Sequence, residues 1–327
     1  MELKNSMLSR YDITLLLRAF SIFAIVAGHF KFMSLGGGAF FLIALSGYNF
    51  VKFTLPKLNR TSSENHSAKT INYLKPYFRF VFRIILPTLL YLIVLYTYFG
   101  EFHWLGFFFL SNFSGPNYAG GFSYWFLDVL IQIYIAFSFA LIIKPIREYL
   151  FNTTYIFFLI GILVSFLIRE LSLSAFDTEN LMNRLPHLMI YIFFIGGSAA
   201  VSDTLLKKSL TTVVVGLVCF EAILNNMLGY ESLLFFGVVL TIWIPYIYMP
   251  NILIPIVNKV AMASLFIYLS HFQARSLLQK IVSDPTPLMN TFFAIFVGIL
   301  LSLIWKNRKL FIDKTWPFLI KRLRFGY

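Results

Sequence analysis

Arg18 and His29 stand in one apolar segment, LLLRAFSIFAIVAGHF, with ten residues between them. A guanidinium and an imidazole are costly against lipid, so each reads as a functional group turned towards the inside of a bundle. Eleven helical steps of about 100° end within about 20° of whole turns, so both side chains share one face, ~16 Å apart along the axis. That face carries a permanent cation and, further across, a group able to take a proton near neutral pH. The pairing predicts an anion held at one depth and acid/base chemistry at another.

Two further ionisable residues lie in apolar runs: Asp128 in SYWFLDVLIQIYI and His271 in ASLFIYLSHFQAR. Asp128 has the chemistry to orient a histidine and stabilise its protonated form. Each residue also has a plainer reading. His29 fits an interfacial position at a helix end, His271 a hydrogen bond between packed helices, and Asp128 a cap or a cross-helix pair. No HxxxH spacing supports a metal site.

A second basic set lies in LKPYFRFVFRIILP, where Lys75, Arg79 and Arg83 recur at four-residue spacing on one helix face. Lys75 suits snorkelling to anionic headgroups. Arg83 lies deeper and, with Arg18, suits a mouth for phosphates. Gly36-Gly37-Gly38 permits a tight turn, and Ser46-Gly47 permits close backbone approach within the membrane. The chain contains no P-loop, dinucleotide fingerprint or GxSxG elbow.

The elements that must position these groups are membrane helices. Of 327 residues, 59% are hydrophobic and 13% charged, and the mean hydropathy is +0.77; a soluble domain needs more charge. About ten apolar spans of a length that crosses ~30 Å of hydrocarbon are expected at 11–30, 36–53, 80–99, 123–143, 151–168, 185–201, 209–228, 232–249, 258–279 and 288–305. Trp104–Leu110 is apolar but too short, and is expected to be re-entrant or interfacial. Residues 56–72 read as a polar loop. Arg18 interrupts what would otherwise resemble a signal-peptide core, so the first segment reads as a retained helix.

Basic residues crowd alternate loops: Lys4 and Arg10, then Lys52, Lys57, Arg60, Lys69, Lys75 and Arg79, then Lys144 and Arg147, Lys207 and Lys208, Lys259, and the tail from Lys306. The positive-inside rule therefore puts both termini in the cytoplasm. Arg18 then lies in the inner half, and His29, Asp128 and His271 in the outer half. The expected organisation is one all-α integral-membrane domain over 1–327, with 306–327 as a basic cytoplasmic tail. The formal charge of +13 reflects this orientation and contact with membrane lipids rather than nucleic acid. Cys219 is the sole thiol, which excludes an intrachain disulfide and a cysteine metal cluster.

Taken in order, these segments resemble the acyltransferase family 3 membrane proteins. RYDITLLLRAFSIFAIVAGH resembles the family's opening helix with its Arg, ten-residue gap and His. ALSGY resembles its small-residue motif, FRFVFRIILP its arginine segment, YWFLDVLIQIYI its Trp-containing span, and LFIYLSH its late Tyr and His. Three positions depart. Arg79 and Arg83 are four apart rather than three, Leu130 stands where relatives carry Glu, and Ile43-Ala44 replaces an aromatic pair. The resemblance implies a transfer of an acyl group, above all acetyl, from cytoplasmic acyl-CoA to a hydroxyl of a bacterial surface polysaccharide, lipopolysaccharide or other glycan. No bound cofactor is implied; acetyl-CoA is a substrate. Catalysis would fall to His29 as general base with Asp128 and His271, and acyl-CoA binding to Arg18, Arg79, Arg83, Ser46 and Trp125. Direct transfer is favoured over an acyl-enzyme, since Cys219 lies in an apolar run. A proton-coupled transporter or flippase, and a non-catalytic sensor, remain the alternative classes; acceptor-dependent release of coenzyme A separates the enzyme from both.

Overall fold

The computed structural model describes residues 7–33, 36–64, 72–114, 124–178, 181, 183–224 and 231–308. The elements are β1 (Leu8–Asp12), α1 (Ile13–His29), α2 (Gly38–Asn49), α3 (Leu55–Glu64), α4 (Lys75–Phe99), α5 (Trp104–Phe107), α6 (Trp125–Ile142), α7 (Lys144–Asn152), α8 (Thr154–Ala175), α9 (Pro186–Ala200), α10 (Leu205–Leu224), α11 (Glu231–Trp243), β2 (Tyr246–Pro250), α12 (Ile254–Ile281) and α13 (Pro287–Lys306). Among the described residues six helical stretches are long and apolar enough to cross a membrane: Gly38–Ser62, Lys75–Phe99, Trp125–Ile142, Thr154–Ala175, Ile254–Ile281 and Pro287–Lys306. Three shorter apolar helices, Ile13–His29, Pro186–Ala200 and Ser232–Trp243, pack among them.

Hydropathy located the helices better than their ends. The first does not begin at Tyr11. Residues 8–12 form β1, and Asp12 caps α1 by accepting from the Thr14 N–H at 2.8 Å and the Thr14 hydroxyl at 2.7 Å. The span expected at 232–249 stops at Trp243, because Pro245 cannot continue a helix and Tyr246–Pro250 pairs antiparallel with β1. An apolar strand and an apolar helix end look alike in a hydropathy window. Residues 56–72 are not simply a loop either. A π-helical turn at Phe50–Thr54 carries α2 into α3, which buries Leu55 and Leu58. The expected basic tail lies outside the described residues beyond Arg308.

The two-stranded sheet ties the starts of α1 and α12 together. Tyr11 donates to Asn258 Oδ1 at 2.7 Å, and the Arg10 guanidinium lies 3.6 Å from the centre of the Tyr246 ring. From this anchor α1 and α12 pack side by side, with α13 against both. A second layer forms where α2 crosses α9 and α9 packs on α8. That crossing requires glycine: a Cβ at Gly196 would stand 1.6 Å from the Ala44 carbonyl oxygen, and one at Gly47 1.9 Å from that of Phe193. Such small-residue contact is how membrane helices gain packing where water exclusion offers little. Gly37 turns the chain into α2 with φ of 81°, a conformation only glycine adopts freely. Outward faces carry exposed apolar side chains, such as Leu86 and Leu90 on α4 or Leu163 and Leu167 on α8, as a lipid-facing surface requires.

Candidate functional site

α1 and α12 start at the same anchor and run alongside one another, so His29, the last residue of α1, meets His271 deep in α12. His29 Nδ1 lies 2.9 Å from His271 Nε2, and His271 Nδ1 lies 2.6 Å from the Tyr268 carbonyl oxygen one turn back. The ring planes are only 12° apart with centres 4.9 Å apart, as suits an in-line contact between two imidazoles. Phe272 packs against both rings, at 4.1 Å from His271 and 5.2 Å from His29.

This chain of contacts assigns the protons. A carbonyl only accepts, so His271 Nδ1 carries hydrogen. The neutral His271 ring then offers a lone pair at Nε2, and His29 Nδ1 must donate to it. Neutral His29 is left with its lone pair on Nε2. A proton arriving there requires no other bond to change, because Nδ1 donates in both charge states. His271 is buried, whereas His29 is crowded by protein yet keeps accessible surface. His29 thus keeps an exposed ring with its basic nitrogen unused by His271.

Asp128 does not orient either histidine. Its carboxylate accepts from the Ser111 hydroxyl and from the backbone N–H groups of Ser111 and Asn112. It therefore caps the 3-10 turn Ser111–Phe113, and His271 occupies the orienting position that Asp128 was expected to share. One turn along α6, Gln132 donates to the Phe109 carbonyl at 2.6 Å and exchanges hydrogen bonds with Asn112, at 2.8 and 3.1 Å. The apolar Trp104–Leu110 segment is thereby held against α6 without spanning: one turn of helix, α5, then a bend. Asn112 also donates to the Arg184 carbonyl at 2.9 Å. This brings Arg184 over the Trp125 ring at 4.6 Å and near enough to His29 and Tyr268 to act on both electrostatically. Tyr91 of α4, Tyr124 and Gln273 form a further bolt: Tyr91 donates to Gln273 at 3.0 Å, and Tyr124 to the Leu269 carbonyl at 2.9 Å. It fixes α12 next to His271.

Arg18 lies towards the opposite end of α1. It is part-buried and interacts electrostatically with Tyr134 of α6, whose hydroxyl contacts the Ser46 hydroxyl of α2. Among the described residues Arg18 makes no hydrogen bond or ion pair. An uncompensated cation of this kind costs several kcal/mol by order of magnitude, so an anion beside Ser46 and Tyr134 would be strongly favoured. Ser46 and Arg18 therefore share Tyr134 as a neighbour. Arg79 and Arg83 do not join them. Both are exposed and share a stripe of α4 with exposed Leu86, Leu90 and Val94, opposite the buried Tyr77, Val81 and Leu92. Helical spacing aligned them with each other but could not reveal which way that face turned. Trp125 stands at the His29 end, not beside Arg18. Among the described residues no three metal-ligating side chains converge.

Sequence reasoning missed Tyr134, Ser111, Gln132 and Arg184. Gln132 had a readable signal, four residues after Asp128 on the same helical face. Arg184 had another, a cation on the side where cations are sparse. Tyr268 acts through its carbonyl, which no sequence motif reports. Comparison of the chain with protein-family models, curated proteins and solved structures returns no match. The chemistry therefore rests on the side chains themselves.

Proposed function

We propose that this chain is a membrane O-acyltransferase that moves an acyl group, above all acetyl, from cytoplasmic acyl-CoA to a hydroxyl of an extracytoplasmic glycan. The reading takes the bundle as about ten spans in a bacterial cytoplasmic membrane, with both termini in the cytoplasm. The observation that carries it is the chain from the Tyr268 carbonyl through His271 to His29, which leaves Nε2 of the exposed His29 ring basic. That arrangement suits a general base whose proton affinity is needed only during the reaction.

In the proposed reaction His29 Nε2 takes the proton of the acceptor hydroxyl as its oxygen attacks the thioester carbonyl. The tetrahedral intermediate collapses, the C–S bond breaks, and coenzyme A leaves as a thiolate. The imidazolium of His29 then returns the proton to that sulfur. His271 holds the ring in register throughout and need not change its own charge. At the other end, Arg18 with Ser46 and Tyr134 supports the reading by offering a cation and hydroxyls to an anionic part of the donor. Cys219 is buried, which favours direct transfer over a thiol acyl-enzyme.

The test is reconstitution in sealed vesicles of known orientation, with acetyl-CoA on the face bearing the termini and glycan on the other. The expected result is acetyl-glycan on the glycan side with coenzyme A retained on the donor side. No acceptor-dependent release of coenzyme A, from either side, would rule the reading out.

A further inference from the structure

The loops expected outside the membrane hold few cations, yet three gather about His29. Arg184 lies over the Trp125 ring and acts electrostatically on His29. Lys31 follows His29 by two residues, in the left-handed turn that ends α1, with φ of 57° and its N–H bonded to the Gly28 carbonyl at 3.1 Å. Arg275 stands one turn beyond His271, 5.7 Å from the centre of the Phe30 ring. Neither Lys31 nor Arg275 pairs with a carboxylate among the described residues. Asp128, on the neighbouring α6, is engaged by the Ser111 turn.

These cations come from three separate segments: the end of α1, the chain before α9, and α12. The positive-inside rule works against such an accumulation, so orientation does not account for it. It also has a chemical cost, because fixed positive charge repels an imidazolium forming at His29, the more so away from bulk water. An acceptor with its own anionic group beside the reacting hydroxyl removes that cost and delivers the hydroxyl to the base. Arginine suits this task, since its five N–H donors can hold a carboxylate or phosphate alongside other partners. Trp125 adds an aromatic surface for the apolar face of a sugar ring.

We propose that Arg184, Lys31 and Arg275, with Trp125, form the binding site of an acidic sugar bearing a carboxylate or phosphate. The term acceptor rests on the acyltransferase reading; the binding does not. The probe is a tetrasaccharide of galacturonic acid, compared with its fully methyl-esterified, neutral form and with a phosphorylated tetrasaccharide. Binding is measured by calorimetry to the full chain in phosphatidylcholine nanodiscs. One anionic probe should bind roughly tenfold tighter than the neutral form or better, the scale of a hydrogen bond to a charged group. Arg184→Gln should abolish most of that preference, and Lys31→Gln with Arg275→Gln should reduce it further. Arg184→Lys should keep part of it, which guards against a mere folding defect, and His29→Ala should keep it fully. Equal binding of charged and neutral probes overturns the inference. So does a preference untouched by all three substitutions. If, in a parallel set of nanodiscs containing phosphatidylglycerol, they lower only the retention of that lipid, the occupant is a lipid headgroup and the inference again fails. Charge-dependent binding without any acyl transfer would sink the acyltransferase reading alone. Transfer to neutral sugars without charge preference would sink this inference alone.

Discussion

The two ends of α1 treat their charged residues in opposite ways. At His29 the contacts are committed: carbonyl, imidazole and imidazole are linked in a line, and the flanking turn is fastened by Asp128 and Gln132. At Arg18 the cation has hydroxyls close by but no bonded partner among the described residues. Acid/base chemistry needs a nitrogen fixed in one tautomer. Anion binding needs a charge left uncompensated until the ligand arrives. One helix carries both, and its packing partners decide which end does which.

The largest expected effect breaks the His29 end. His29→Ala should lower acyl transfer on the order of 10²–10⁴-fold, as loss of a general base does, while coenzyme A affinity stays unchanged. Near-normal turnover by a well-inserted variant would show that His29 is not the base. His271→Ala sharpens the same end. The ring of His29 then loses its register, for a loss on the order of 10²-fold and an altered pH profile of kcat. His271→Gln offers an amide oxygen to His29 Nδ1 and should recover part of the rate. A structural role alone would leave the pH profile unmoved.

At the other end, Arg18→Ala should weaken coenzyme A binding roughly tenfold or more. Arg79→Ala and Arg83→Ala should change it far less, because their face of α4 turns outward. Equal losses in all three variants would mean that α4 lines the donor path after all. The smallest effect is reserved for a charge pair outside both ends. Lys207 Nζ donates to Asp203 at 2.7 Å, which holds the Asp203 carboxyl below its ordinary value. A depressed carboxyl adds stability above its unfolded value, and that stability fades as pH falls through the carboxylate range. Both groups face solvent, so screening removes most of the gain. Asp203→Asn should leave the thermal midpoint at neutral pH unchanged within error; a clear drop would show that the pair is structural.

Much of this molecule was written in local pattern. The apolar runs marked the helices, and the eleven-residue step put Arg18 and His29 on one face, because helical geometry fixes relative direction within a segment. Ser46-Gly47 announced a close crossing. Those properties depend on neighbours in sequence. Direction relative to the rest of the bundle does not. Arg79 and Arg83 share a face as their spacing required, yet only the packing of α4 through Tyr77, Val81 and Leu92 turned that face outward. Asp128 and His271 were legible as ionisable groups at similar depth. Which of them met His29 depended on the lateral packing of α1 against α12, anchored by a sheet between residues more than two hundred positions apart. The sequence by itself determined which side chains could hold a proton or an anion. Only the tertiary structure decided which partner fixed each one, because hydrogen bonds are made between helices and a helix carries no record of its neighbours.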